Sequence, residues 1–358
     1  MASSRAVISR GTTALVDAVR KSIAVGRIRP GEFVPAVRQL SGEHGVSPET
    51  VRRGLKHLEA EGLLVAEPRQ GFRVAAPAAR PAAHGPVAYV TDHSPDLSDA
   101  QPANWALSAA LQQAAAQQGW TTLGARCGTG APVPLAEQLS AGRAWGLVLD
   151  TLNPGVVGEV AGLACPAVMV NSWIEGCALD VVLQDNYLGG FLAASQLVDA
   201  GAERIAWLGP VGSFCHSRER FAGAVAGLAA RGKSLAPEMV ADTTRGEAEA
   251  AARGLLDRPG RPDAVLCFWK GAAKAMMSVA EQLKLEIGGD LLVVGWSVEE
   301  AYESEHLAVY AGGAVPPAVV WKASTMAERA LALLAERRAG RAGEPVRVCV
   351  PARLKLSE

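Results

Sequence analysis

The stretch IRPGEFVPAVRQLSGEHGVSPETVRRGLKHLEAEGLLVAEPRQGFRV, residues 28–74, decides how the N-terminal part of the chain folds. After the turn at Pro30-Gly31, the pattern predicts a short helix from about Pro35 to His44. Gly45 ends it, as suits the left-handed residue that follows many helices. Ser47-Pro48 then supplies an N-cap hydroxyl and a proline at the first helical position, so a further helix is predicted to run to Gly62 with Val51, Leu55 and Leu58 facing inward. Upstream, Leu15, Val16, Val19, Ile23 and Ala24 recur at helical spacing over 13–26. Two helices joined by a tight glycine turn make a helix-turn-helix. Downstream, Leu63–Val74 reads as two strands around a turn at Pro68–Gly71, carrying Arg69 and Arg73, and forms a wing.

Charge separates this head from the rest. Residues 1–76 hold twelve Lys and Arg against seven Asp and Glu, a net of +5. The remaining 23 basic and 29 acidic residues leave −6. Between them lies Ala75–Pro86, with three prolines among alanines and a glycine, the composition of an extended connector. A basic head suits a polyanion, because phosphate contacts dominate nucleic-acid affinity. The outward face of the third helix carries Glu49, Arg52, Arg53 and Lys56, and its N-terminal end offers Ser47 and Thr50. In a major groove that end reads base edges while the charges grip phosphates. On spacing alone a solvated charged face reads the same way.

The combination of PG, P-x-x-R-x-L, GVS-x-x-TVR and L-x-x-EGLL over residues 12–75 resembles the winged helix of the GntR family. The resemblance implies DNA binding. By position it assigns Arg38 to a phosphate or base contact, Ser47, Glu49, Thr50 and Arg52 to the recognition helix, with Arg53 beside them, and Gln70 and Gly71 to the wing tip. Two positions depart from the family pattern. Pro48 stands where many members have arginine, and Glu49 is acidic. Glu49 either accepts a hydrogen bond from cytosine N4 or favours the helix N-terminus electrostatically.

From Pro86 onward, short β-branched runs alternate with helical segments, and the rhythm restarts after Asn186. Two successive βαβ blocks predict an α/β body of two doubly wound, parallel-sheet lobes. Ligands of such sheets bind beyond the C-terminal strand ends, which places a site in a cleft between the lobes. DNYLGGFLAASQLVDAGAERIAWLG (185–209), SRERFAGAVAGLAARG (217–232), PDAVLCFWKGAAKAM (262–276) and LLVVGW (291–296) resemble the effector domain of LacI-family repressors, itself similar to periplasmic sugar-binding proteins. The resemblance spans about residues 86–354. It implies three chain crossings between lobes, near 186, 314 and 341, and a C-terminal helix over about 317–339 that returns to the first lobe.

By the same resemblance Arg220, in S-x-x-R-x-x-G, holds a ligand hydroxyl or carboxylate, and Asn171 and Asp185 line the cleft. A guanidinium fork suits vicinal or anionic oxygens, although an ion pair with Glu219 also satisfies such an arginine. Two polar slots differ from the family: Trp269-Lys270 replaces Asn-Asp, and Gly295-Trp296-Ser297 replaces Gly-aromatic-Asp. The lost acceptors argue against a plain hexose held in the standard way. Trp105, Trp173 and Trp269, with Ser297, join the candidate ligand residues, since indoles stack on sugar rings, bases or cations. Each tryptophan is equally a candidate for lobe packing, and Trp207, inside a strand, is assigned to core.

No P-loop, Rossmann fingerprint, nucleophile elbow or H-E-x-x-H motif occurs, and the six cysteines show no zinc or disulfide spacing. No catalytic residue, metal site or cofactor is therefore expected. No apolar run approaches a membrane span and Met1–Gly11 lacks an apolar leader segment, so a cytoplasmic protein is expected. These readings define a winged helix-turn-helix over 1–76, a linker over 77–86 and a two-lobed body over 87–358. Lobe 1 is placed at about 87–186 and 315–340, lobe 2 at about 187–314 and 341–358. The function expected is a homodimeric transcriptional repressor that binds a palindromic DNA operator and a sugar-like effector. The alternatives are a body that serves only as a dimerisation module, or a solute-binding protein. A fused aminotransferase fits poorly, because the body is too short for that fold.

Overall fold

The computed structural model describes residues 10–24, 28, 31–60, 63–67, 70–74, 85–92, 102–127, 131, 133–161, 165–243, 247–307 and 315–356. Most of the expected linker, 77–84, lies outside them, as does Arg69 in the wing turn. Two compact units divide the chain between Leu147 and Val148.

In the head, α1 (Arg10–Ala24), α2 (Val37–His44) and α3 (Pro48–Ala60) precede the antiparallel pair β1 (Leu64–Glu67) and β2 (Gly71–Val74). The inward residues of the helical periodicity form one core: Leu15, Val16, Val19 and Ile23 from α1 meet Leu40, Val51, Leu55, Leu58, Leu64 and Val74. Gly54 permits the α1–α3 approach, since a Cβ there would stand 3.1 Å from Leu15 Cδ2. Gly45 caps α2 at φ 62°, a conformation that costs glycine little. Gly31, at φ 87°, leads into a third extended segment, which joins the wing through Val34 N–H to the Phe72 carbonyl (2.9 Å).

The body begins with β3 (Val87–Thr91), α4 (Pro102–Gln117), β4 (Thr122–Arg126), α5 (Leu135–Gly142), β5 (Gly146–Asp150), α6 (Pro154–Ala161), β6 (Ala167–Val170) and β7 (Asp180–Gln184). It continues with α7 (Asn186–Asp199), β8 (Ile205–Leu208), α8 (Cys215–Ala229), β9 (Val240–Ala241), α9 (Ala248–Leu256), β10 (Ala264–Cys267), α10 (Lys270–Gln282) and β11 (Leu292–Val298). The last elements are β12 (Ala318–Trp321), α11 (Ala323–Arg338), β13 (Arg347–Val350) and β14 (Arg353–Lys355). One six-stranded sheet has the order β13-β7-β6-β5-β3-β4, the other β14-β12-β11-β10-β8-β9. The pairs β3–β4, β6–β7, β7–β13, β8–β9, β8–β10, β10–β11 and β11–β12 are parallel, and β14 runs antiparallel to β12. Strands β7 and β10 are buried at every residue, as parallel strands covered on both faces are; β10 is apolar throughout, and β7 is apolar between Asp180 and Gln184 at its ends.

The lobe boundaries expected at the C-terminal end need correction. Residue 314 lies outside the described residues, but β12 pairs with β11, so 318–321 belongs to lobe 2 and the crossing follows Trp321. What was expected as one helix over 317–339 is a strand followed by α11, because Ala318-Val-Val-Trp321 is a β-branched run buried throughout. Likewise β13 pairs with β7 in lobe 1, and only β14 returns to lobe 2, which moves the last crossing from 341 to the segment after Val350.

A buried charge fixes α11 and β13 to lobe 1. The Asp180 carboxylate, fully buried at the start of β7, accepts both arms of the Arg337 fork (2.7 and 2.8 Å), the Val346 N–H (2.9 Å) and Arg341. Burial alone would raise its pKa, but these donors outweigh it and hold the group at about 2, against 3.8 ordinarily. A lowered carboxylate pKa stabilises the fold above the ordinary value, and the gain disappears as the pH falls from about 4 towards 2; the shift corresponds to roughly 2 kcal/mol. Asp180→Asn is therefore expected to lose roughly 3 kcal/mol in urea unfolding at pH 7, as breaking a buried pair does. It should also flatten the loss of stability between pH 4 and 2, as equilibrium unfolding at several pH values will show.

Candidate functional site

In the head, the N-terminal end of α3 is built as the capping pattern requires. Ser47 Oγ accepts the Thr50 N–H (3.1 Å) and lies 2.9 Å from Thr50 Oγ1. Glu49 and Arg52 are exposed and form a 3.4 Å pair one turn apart. An exposed pair of that kind is worth about 0–1 kcal/mol, so Arg52 leaves Glu49 at little cost. Arg53 is exposed but reaches Thr12 Oγ1 (3.3 Å), which ties α3 to α1. Arg38 stands exposed on α2. Gln70 is exposed in the wing turn, its N–H bonded to the Glu67 carbonyl (3.1 Å), and Gly71 takes φ 112°. The wing strands are stapled by Arg73 and Glu67 (2.7 Å). Arg38, Ser47, Glu49, Thr50, Arg52, Arg53, Gln70 and Gly71 thus lie at the end of one helix, on α2 and at the wing turn, all but the half-buried Thr50 on the surface.

The ligand candidates are best described from Arg220 outward. This residue is 4% exposed on the second turn of α8. Its Nε donates to Asn186 Oδ1 and its Nη1 to the Phe268 carbonyl, both at 2.9 Å. The guanidinium lies 4.0 Å from the Trp296 ring centroid, 5.0 Å from Phe268 and 5.7 Å from Trp321. Burial lowers its pKa from 12.5 to about 9, against the smaller pull of Cys215 and Glu219. It makes no ion pair with any described carboxylate. The expected alternative partner, Glu219, is engaged elsewhere: it accepts from Trp173 Nε1 (2.8 Å), Asn186 Nδ2 (3.2 Å) and Arg347.

Those bonds join the lobes. Trp173 follows β6 and Arg347 lies on β13, both of lobe 1, whereas Glu219 and Cys215 lie on α8 of lobe 2. Trp173 also donates its backbone N–H to Cys215 Sγ (3.2 Å), and its ring lies 5.5 Å from the Arg218 guanidinium and 5.4 Å from that of Arg347. His216 stacks between Phe214 and Phe268 at 5.5 and 5.6 Å. Burial, then the charge of Arg220, pushes its pKa down to about 3, so the ring is neutral at pH 7.

The remaining candidates occupy varied settings. Asn171 takes the left-handed conformation (φ 63°) at the end of β6 and donates to Asp150 Oδ2 (3.0 Å). Asp185 caps α7, accepting the Leu188 N–H (2.9 Å). Trp269 precedes α10 and packs against the lobe 2 core, its ring 4.7 Å from Phe268. The buried Ser297 hydroxyl donates to the Val298 carbonyl (3.2 Å). Trp105 is half-buried on α4, in the first unit, and the Arg220 cluster is built wholly from the second. Sequence reasoning missed Asn186, Phe268, Trp321 and Arg347. The Asn of DNYLGG was the one legible signal, a polar side chain at the first position of a helix that starts beyond a strand end. Trp207 is core, 1% exposed and edge-on to Phe221.

Residues 12–74 match the gntR family of bacterial regulatory proteins, and residues 194–356 match the periplasmic binding protein-like domain. Over 67 residues the chain is 42% identical to the HTH-type transcriptional regulator YjiR of Escherichia coli (strain K12), which covers 19% of this chain and 14% of that protein. Among solved structures, the transcriptional regulator CelR in complex with cellobiose superposes with a TM-score of 0.62 at 21% identity, over 90% of this chain and 99% of the other. Transcription regulator CcpA of Lactococcus lactis gives 0.63 at 13% identity over 76% and 98%. A LacI family transcriptional regulator from Mycobacterium smegmatis gives 0.59 at 22% identity over 75% and 97%. The chain thus joins a gntR-type helix-turn-helix domain to a periplasmic-binding-protein-like body of the fold that LacI-family regulators share.

The Glu219 junction has a measurable energy. Trp173→Phe and Glu219→Ala are each expected to lose about 1–2 kcal/mol in urea unfolding, and the double variant less than their sum by about 1 kcal/mol, because each single change breaks the same bond. Strict additivity would mean the Trp173–Glu219 bond contributes nothing.

Proposed function

We propose that the chain is a ligand-responsive transcription regulator, acting as a repressor. A homodimer reads a palindromic operator through α3 and the wing of each head, and a small molecule binds at the Arg220 cluster of the body. The observation that carries this reading is the presence, in one chain, of a capped and exposed recognition-helix end and a body with a buried guanidinium beside the strand ends of lobe 2, next in sequence to the Glu219 junction with lobe 1. Two-fold symmetry of a dimer would place two recognition helices on two half-sites. No described helix is long and apolar enough to cross a membrane, which is compatible with the cytoplasmic location that DNA binding demands. The chemistry proposed is binding, not catalysis. Cellobiose in the CelR complex makes a carbohydrate or carbohydrate-derived effector the first class to test.

A second reading has its own support. Trp269 packs on the lobe core and the Ser297 hydroxyl is satisfied within its own strand, so two of the expected ligand residues are occupied with structure. A body used only for dimerisation would look the same at those two positions.

Selection of DNA fragments by the full-length protein, followed by footprinting, tests the main reading; a protected palindrome is the expected outcome, and failure to favour any sequence over bulk DNA sinks it. On that operator, Arg52→Ala should weaken binding and reduce the slope of log K against log salt by about 1, the signature of one lost phosphate contact. Arg220→Ala should leave ligand-free operator affinity unchanged while removing the response to effector.

A further inference from the structure

We propose that Glu300 clamps the hinge of the body: its carboxylate, carried by lobe 2, caps the helix that lobe 1 receives across the second crossing, and so holds the lobes in their present arrangement. The first ground is where α11 finds its cap. The first N–H groups of a helix have no partner within it. Helix α7, after the first crossing, is capped by its own N-cap residue, Asp185. At α11 the N-cap residue is Lys322, which makes no side-chain cap bond, and the first turn holds no acidic residue. The cap comes instead from Glu300, in the short turn Glu299–Ala301 that follows β11 in lobe 2. One oxygen, Oε2, accepts the Ala323 N–H (3.0 Å), while Oε1 accepts the Ser324 N–H (2.9 Å) and the Ser324 hydroxyl (2.8 Å). A local cap travels with its helix when lobes turn. A cap supplied by the other lobe does not.

The second ground is that α11 is pinned at both ends, each to a different lobe. Its last turn is fixed in lobe 1 by the Arg337 fork on Asp180, and its first turn is fixed to lobe 2 by Glu300. Between the pins runs a helix of 16 residues, a rod of about 24 Å. A rod passes rotation on, so a turn of one lobe against the other is felt at the bonds to Glu300. Two oxygens on two consecutive amides fix the direction of the helix as well as its distance, and such bonds weaken steeply when bent. The neighbouring side chains behave differently. Glu299 pairs with Arg353 (2.7 Å) and the Tyr302 ring lies 3.9 Å from Lys355 Nζ, both partners being on β14 of the same lobe. Those contacts seat the turn in lobe 2 and cross no boundary. A ligand or operator that favours another lobe arrangement has to release the Glu300 bonds first.

The test is hydrogen–deuterium exchange of the full-length protein without ligand, read by mass spectrometry on peptides that overlap at Trp173 and at Ala323-Ser324. The Trp173 N–H bonds to Cys215 Sγ across the lobes (3.2 Å), so its exchange reports lobe opening on elements that Glu300 does not touch. Glu300→Ala should speed exchange about tenfold at Ala323-Ser324, the size of a lost cap, and about threefold or more at Trp173. Glu299→Ala makes the same truncation one residue away and should leave Trp173 as in wild type. Glu300→Gln keeps the length of the side chain and one acceptor oxygen; it should show the same two changes, smaller, and serves where the alanine variant fails to fold. Faster exchange at Ala323-Ser324 with Trp173 unchanged would make Glu300 an ordinary helix cap and overturn the proposal. So would no change at either place, or an equal change at Trp173 in Glu299→Ala. The clamp belongs to the body alone and is read without ligand or DNA, so its failure leaves the regulator reading to the operator selection above.

Discussion

Helices α7 and α8 touch backbone to backbone, and the candidate ligand site depends on that contact. A Cβ at Gly190 would overlap the Arg220 carbonyl, one at Gly223 the Tyr187 carbonyl, and one at Gly227 the Phe191 carbonyl. Glycines at all three places allow an approach that any larger residue prevents, and the approach fixes the register of one helix on the other. As a result Asn186, at the first position of α7, lies within hydrogen-bond distance of both Arg220 and Glu219 on α8. Gly189, on the neighbouring turn, leaves room for the Trp296 ring, which a Cβ would approach to 2.6 Å. That ring is the one on which Arg220 rests. Backbone contact, aromatic platform and guanidinium are thus a single construction.

The two main charged clusters of the body show opposite solutions to the same cost. At Asp180 the buried carboxylate is surrounded by cationic and amide donors, so desolvation is overcome and the pKa falls to about 2. At Arg220 the donors of the buried cation meet only neutral acceptors, desolvation prevails, and the pKa falls to about 9. The first arrangement anchors α11 and β13 to their lobe and serves stability. The second leaves a buried cation without an opposite charge beside the ends of β10 and β12, the kind of perturbed group that clusters at functional sites. The exposed pairs of the head, such as Glu49–Arg52, belong to neither class and contribute little to folding.

What could be read from the sequence follows from how local its cause was. Ser47, Pro48 and Gly45 act within one or two helical turns, and the helix-turn-helix was legible to within a few residues. The alternation of the body was legible too, because parallel strands and their helices carry the period in their own residues. Strand β12 was absorbed into a helix, since a four-residue buried run shows no periodicity that separates it from the helix that follows. Strand β13 was assigned to the wrong lobe because its partner, β7, is more than 150 residues earlier and only pairing reveals it. Glu219 was invisible as a junction for the same reason: its partners Trp173, Asn186 and Arg347 are 46, 33 and 128 residues away.

The junction between lobes also sets what a ligand can do. Its polar links include Glu219 to Trp173 and Arg347, and the Trp173 N–H to Cys215. Each such bond contributes about 0.5–1.5 kcal/mol net, since water replaces it when the lobes part. Their sum is a few kcal/mol, comparable with the roughly 5.5 kcal/mol that carries a two-state equilibrium from 1:99 to 99:1. A small molecule of ordinary affinity supplies that much, provided it binds one lobe arrangement better than the other. A broad apolar interface would resist such a ligand, and an unlinked pair of lobes would give it nothing to shift. Linkage then requires that any change a ligand makes in operator affinity equal the change DNA imposes on ligand affinity.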